Sequence, residues 1–147
     1  MTLLYADTSA VVRAYVMAEP DHAELRKLLV EGTDSVVTSE LTRVEFAGAV
    51  AAAGRARRIR ESRILLDRFD GDCGVDGSIS LLQLDNAVVL PLARRLVTEH
   101  FVHTLDAIHL AVALSDATAL AAGEPVVLVT RDKRQAEAAR ALGLSVY

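Results

Sequence analysis

The 147 residues contain one cysteine, no tryptophan, three phenylalanines and three tyrosines. Cys73 alone cannot close an internal disulfide, and no Cys/His cluster has the spacing of a structural zinc site, so a reducing cytoplasm is the expected compartment. So little aromatic surface argues against broad single-strand nucleic-acid binding by base stacking. No apolar run approaches the ~18 uninterrupted residues of a membrane span. The opening MTLLYADTS has no basic segment and only a short apolar run before Asp7, which argues against a signal peptide. Positive charge is not in excess either. With 16 Lys and Arg against 20 Asp and Glu, the net charge is −4, so any RNA or DNA contact has to be local.

What is present is apolar: 52% of the residues are hydrophobic, enough to bury a sizeable core, and the length suits one domain. Short Val- and Leu-rich runs alternate with longer helical patterns, which predicts an α/β domain with a mainly parallel sheet. Strands are expected at Leu3 to Ala6, Ser35 to Thr38, Ile79 to Leu84 and Val126 to Thr130, with a final edge strand over Leu144 to Tyr147. Helices are expected from Ala10 to Met17, Asp21 to Glu31, Ser39 as cap through to Gly54, Arg57 to Asp70, Asn86 to Glu99 and Leu105 to Leu120. A last helix ends at Gly143, and Gly71 to Ser78 reads as a loop. There is no repeat, low-complexity tract or linker.

Four acids stand out from this frame. Asp7 and Asp132 each follow a strand, where open parallel sheets bind ligands, although both also suit helix capping. Glu45 lies on or beside the apolar stripe of its helix; Thr42-x-x-Glu45 matches a capping box, but a helix capped at Ser39 puts Glu45 in the second turn. Asp106 opens a helix apolar nearly all round, where the helix dipole favours an acid. Were all four to converge, their repulsion would require either protonation or a divalent cation. A donor set of oxygens without His or Cys suits Mg²⁺ or Mn²⁺ rather than Zn²⁺.

The segments YADTSAVV (Tyr5 to Val12), SELTRVEF (Ser39 to Phe46), TLDAIHLA (Thr104 to Ala111) and LVTRDKRQAEAARALGL (Leu128 to Leu144) resemble, in order and spacing, the four motif regions of PIN-domain ribonucleases. More narrowly they resemble the VapC-type toxins of bacterial type II toxin–antitoxin pairs. The resemblance spans essentially the whole chain. It implies a three-layer α/β/α PIN-like domain over residues 1–147, and a metal-dependent endoribonuclease in which Asp7, Glu45, Asp106 and Asp132 bind Mg²⁺ or Mn²⁺ and support hydrolysis of RNA phosphodiesters. Asp132 matches the position that serves more as helper than as direct ligand. Ser9 matches a small hydroxyl residue that assists the metal shell, and it also suits the N-cap of the first helix. A cognate antitoxin that covers the acidic pocket, and a homodimer, are implied too.

His109, three residues beyond Asp106, sits in an apolar run and reads as a packed residue with its ring bonded rather than as a general base. His100, His103 and His109 lack the spacing of a zinc set. RNA grip falls to GRARRIRESR, with Arg55, Arg57, Arg58, Arg60 and Arg63, and to Arg131, Lys133 and Arg134 beside Asp132. The first of these patches also reads as a solvated helix face on which Glu61 pairs with Arg57 or Arg58. Structured RNA such as tRNA or rRNA fits better than an unstructured strand. The apolar stretches near Tyr15 and Val16 and from Leu25 to Val30 are either interface or core. Two other functions compete: a non-cutting PIN-like module that binds RNA or protein, and a phosphatase with Asp7 as nucleophile, against which the absence of an acid at position 9 counts.

Overall fold

The computed structural model describes residues 1–147. Its centre is a five-stranded sheet in the order β3-β2-β1-β4-β5, with β1 Leu3–Ala6, β2 Ser35–Ser39, β3 Ile79–Leu82, β4 Val126–Val129 and β5 Ser145–Val146. Every pairing is parallel, so the sheet is wholly rather than mainly parallel, and Ala6 lies opposite Val129 at the carboxyl ends of β1 and β4. The chain steps from β1 outward to β2 and β3, then returns to β4 on the other flank of β1. The carboxyl ends of β1 and β4 therefore meet at a topological switch point, where such sheets form a ligand crevice.

Strand side chains alternate between two buried layers. Leu3, Tyr5, Val37 and Leu128 face one core with α5 (Asn86–Glu99), α6 (Thr104–Val112) and α8 (Lys133–Ala141). Leu4, Ala6, Val36 and Val129 face a second core with α1 (Thr8–Tyr15), α2 (His22–Leu29), α3 (Leu41–Arg55) and α4 (Ser62–Asp72). The result is three layers, α/β/α. Tyr15, Leu25 and Leu29 are buried in the second core and Val16 is buried beside them, so these four side chains are interior rather than exposed surface. Tyr15, Phe46 and Phe69 meet edge-on or tilted there, with ring centroids 4.6–5.5 Å apart.

Several boundaries differ from the sequence pattern for identifiable reasons. The first helix begins at Thr8, because Asp7 and not Ser9 is its N-cap: the Asp7 carboxylate accepts the Ala10 N–H at 3.0 Å. Ser39 does bond the Leu41 N–H at 3.1 Å, and Thr42 bonds Thr38 at 2.7 Å, so Thr42 and Glu45 make no capping box and Glu45 is in the second turn of α3. The charged helix expected from Arg57 starts only at Ser62, since Arg57 takes a left-handed φ of 55° and breaks the chain's path. Arg55 to Glu61 thus ends α3 and turns into α4, and Arg58 pairs with Glu19 at 3.1 Å instead of with Glu61.

The helix after Asp106 runs from Thr104 to Ala121 through a π turn, Ala113–Ala117, before the short α7, Thr118–Ala121. Ser115 and Thr118 donate their hydroxyls back to the carbonyls of Ala111 and Ala113, which loosens the α ladder there. Its 18 residues, with a mean hydropathy of 1.2, are long and apolar enough by length and composition to cross a membrane. Polar Asp106, His109 and Asp116 interrupt it, and it contributes residues from Ala107 to Ala121 to the first core. Gly143, at φ 87°, turns the end of α8 into β5.

Candidate active site

Asp7 lies at the end of β1 and is 2% exposed. Its Oδ1 accepts the Ser9 hydroxyl at 2.7 Å and the Ala10 N–H at 3.0 Å, while its Oδ2 lies 2.6 Å from the Thr130 hydroxyl just beyond β4. Burial raises its pKa, and the bonds from Thr130, Ala10 and Ser9 oppose that rise without cancelling it. Ser9 also accepts the Arg131 N–H at 2.9 Å, so it clips the β4 end to the β1 end.

Asp132 caps α8, accepting the Gln135 N–H at 2.8 Å. Asp106 sits half-buried in the first turn of α6. Its carboxyl is pushed up to about 6, first by burial and then by the negative charges of Asp132 and Asp7. The three aspartates come from the β1 end, the α6 start and the β4 end, and they share one electrostatic field.

Glu45 is placed differently. Its Oε2 accepts from His109 Nε2 at 2.7 Å and from the Thr8 hydroxyl. Burial alone would raise its pKa, but the hydrogen bonds from His109 and Thr8 lower it overall. Behind it, His109 Nδ1 lies 2.8 Å from the hydroxyl of Tyr5, a fully buried residue on β1. A carboxylate only accepts, so Nε2–H donates to Glu45, and Nδ1 accepts the hydrogen bond from the Tyr5 hydroxyl. Burial, then the charge of Asp7, keeps Tyr5 neutral by raising its pKa well above the ordinary value. His109 is thus buried and bonded as expected, and its bond partner is one of the four candidate acids.

Tyr5, Thr8, Thr130 and Gln135 escaped the sequence reading. Tyr5 carried a signal in being two residues before Asp7 and therefore on the same strand face. Gln135 carried another, since it falls in line with buried Ala138 and Ala139 at i+3 and i+4. Thr130 read as the last residue of the expected strand, which ends at Val129 instead, and Thr8 as one of the small polar residues before the first helix.

The donors fit a hard divalent cation in type: they are oxygens, and Asp106 is raised by burial first and then by repulsion from Asp132 and Asp7, a repulsion that such a cation would relieve. The fit is one of chemistry and field rather than of a closed cage, because no three His, Cys, Asp or Glu groups stand together as a ready-made metal cluster.

The basic side chains divide. Arg55, Arg57 and Arg60 are exposed and make no ion pair; Arg55 ends α3 roughly 15 Å from Glu45 at 1.5 Å per residue, and Arg57 and Arg60 lie in the turn beyond it. Lys133 is exposed beside Asp132. Arg131 is committed elsewhere: it bonds Asp21 at 3.0 Å, lies 3.5 Å from Glu24, donates to the carbonyls of Thr130 and Tyr147, and covers the Tyr147 ring. It is a tie between α2 and the C-terminal strand.

Acids from separate segments thus lie around the switch point of a parallel α/β/α sheet, and residues 4–141 match the PIN domain. The chain is 31% identical over 147 residues to Ribonuclease VapC45 of Mycobacterium tuberculosis strain CDC 1551 / Oshkosh, covering 99% of this chain and 95% of that protein. Ribonuclease VapC49 of strain ATCC 25618 / H37Rv is similar to the same extent, 31% over 147 residues with the same coverage. The chain belongs to the PIN-domain family, in its VapC group. The fold is also that of solved structures: Mycobacterium tuberculosis VapC20, described as a sarcin-ricin loop cleaving toxin, has a TM-score of 0.66 at 14% identity over 96% of this chain and 95% of that one. FitAcB from Neisseria gonorrhoeae has a TM-score of 0.55 at 21% identity over 100% and 96%.

Proposed function

We propose that this protein is a metal-dependent endoribonuclease and the toxin of a type II toxin–antitoxin pair, with residues 1–147 acting as one cytoplasmic catalytic domain. The observation that carries the reading is the shared field of Asp7, Asp106 and Asp132 at the sheet's switch point, in a chain 31% identical to proteins named as ribonucleases. Asp7, Asp106 and Asp132 would hold Mg²⁺ or Mn²⁺, with Glu45 at the margin.

Such an ion supplies polarisation of the scissile phosphate and acidification of a water. The chain's own contribution is rigidity and charge. Three donors fix Asp7, and His109 with Thr8 keeps Glu45 ionised and oriented. The hydroxyls of Thr8, Ser9 and Thr130 all bond these acids, so none is a free nucleophile. Both Asp7 oxygens are engaged in a buried setting, which disfavours the phosphatase reading.

Structured RNA such as tRNA or rRNA is the proposed substrate, its backbone held by Arg55, Arg57, Arg60 and Lys133. An antitoxin would place a basic side chain in the negative crevice, where a guanidinium stands in for the metal charge. A homodimer completes the proposal. The non-cutting module keeps one point in its favour, namely that Asp7 and Asp132 both serve as helix caps. An Asp7→Asn variant separates the two: metal-dependent RNA cleavage by the wild type that is lost in the variant supports the nuclease, and no cleavage by either supports the module.

A further inference from the structure

The Asp7, Asp106 and Asp132 segments are far apart in the chain, yet one buried pair of uncharged side chains touches all three. Gln135 is fully buried on α8. Its backbone N–H donates to Asp132 at 2.8 Å, its Oε1 lies 2.7 Å from the Thr130 hydroxyl, and its Nε2 donates to the Asp106 carbonyl at 3.3 Å. Thr130, itself 4% exposed, reaches Asp7 Oδ2 at 2.6 Å and accepts the Asp132 N–H at 3.0 Å. The backbone bond from Asp7 N–H to the Val129 carbonyl and the Ser9 clip already hold the β1 and β4 ends together, and the two side chains add the links from Thr130 to the Asp7 carboxylate and from α8 to the start of α6.

We propose that Thr130 and Gln135 are positioning residues that set the mutual spacing of Asp7, Asp106 and Asp132 for a divalent cation. Neither touches substrate. The role rests on the metal-site reading above and adds to it a cause for the spacing. It also accounts for a polar residue on the buried stripe of α8, where an aliphatic side chain would otherwise pack with Ala138 and Ala139. The hydroxyl has a single proton facing two oxygens, Asp7 Oδ2 and Gln135 Oε1, so the two contacts are coupled and an ionised Asp7 takes the stronger share. Partners of this kind around metal ligands typically carry a 10- to 100-fold effect on affinity or activity.

The test is Mn²⁺ titration by calorimetry on the full chain, with thermal melts in the absence of metal and steady-state RNA cleavage alongside. Thr130→Val and Gln135→Met are expected to weaken Mn²⁺ binding by about 10- to 100-fold and to lower kcat with KM for RNA unchanged. Thr130→Ser, which restores the hydroxyl, is expected to regain most of the wild-type affinity. If Thr130→Val does not fold, Gln135→Met and Thr130→Ser decide the matter. Variants that melt lower yet bind Mn²⁺ like the wild type would overturn the positioning role and leave the metal site standing. A wild type that binds no Mn²⁺ would overturn the metal site and the positioning role together.

Discussion

Glu45 on α3 and His109 on α6, 64 residues apart, meet at 2.7 Å between Oε2 and Nε2 with side chains only 17% and 2% exposed. The pair bridges the two helical layers across the end of β1, and Tyr5 completes it from the strand. His109→Leu strips the carboxylate of a buried partner and orphans the Tyr5 hydroxyl. It should cost roughly 3 kcal/mol and lower Tm by roughly 6–12 °C, while His109→Gln, which keeps an N–H for Glu45, should lose less.

The pH dependence of that loss follows from Glu45, whose carboxyl is held below its ordinary value of 4.5 because the bonds from His109 and Thr8 outweigh burial. A lowered acid contributes stability that is complete above its unfolded value and disappears as pH falls through the folded one. The Tm gap between wild type and His109→Leu should therefore be full at pH 7 and narrow as the solution is acidified below 4.5.

Asp106 has the opposite sign. Its carboxyl is raised to about 6 from 3.8 by burial and by Asp132 and Asp7, so its ionised form destabilises the apo fold, fully above pH 6 and progressively less as pH falls toward 3.8. Asp106→Asn should raise the Tm of the metal-free protein at pH 7.5 by roughly 2–4 °C, about 1 kcal/mol once solvent screening of this half-exposed group is allowed for, and should give no gain near pH 4. A variant more stable and less active is the usual signature of a functional acid.

Metal should reverse that penalty. Mn²⁺ at a hundredfold excess over its Kd stabilises the folded chain by about 2.7 kcal/mol, a Tm rise of roughly 5–10 °C. Melting curves of Asp7→Asn should show no such rise, and EDTA should return the wild type to its metal-free Tm.

Arg131 and Lys133 are neighbours with separate expected phenotypes. Arg131→Ala severs the tie to Asp21, Glu24 and Tyr147 and should lower stability by roughly 1–3 kcal/mol. Lys133→Ala and Arg55→Ala should leave Tm unchanged and each reduce the salt slope of RNA binding by about 1.

The parallel strands and α5 were legible because they are short Val/Leu runs with sharp polar borders, or a long periodic segment with Asp85 as cap. The α4 start was not, since a left-handed Arg57 is invisible to periodicity. Asp7, Asp106 and Asp132 could be picked out as acids at strand ends and a helix start, and Glu45 as an acid on or beside the apolar stripe of its helix. Which of them share a field, and which is tied to a histidine instead, depends on the packing of α6 against the sheet. Thr8, Thr130 and Gln135 gave weak signals for the same reason: a hydroxyl or amide becomes part of a site through a partner on another element, 37 residues away for Thr8 and Glu45, 29 for Gln135 and Asp106, and 123 for Thr130 and Asp7.

The most direct test is cleavage of a panel of structured RNAs by the purified, antitoxin-free protein with Mg²⁺ or Mn²⁺ and with EDTA, beside Asp106→Asn, which keeps the shape and removes the charge. Cleavage that requires the metal and vanishes in the variant is the predicted result. Cleavage that persists in EDTA and in Asp106→Asn, or no cleavage of any RNA by the wild type, would contradict a carboxylate-held metal centre.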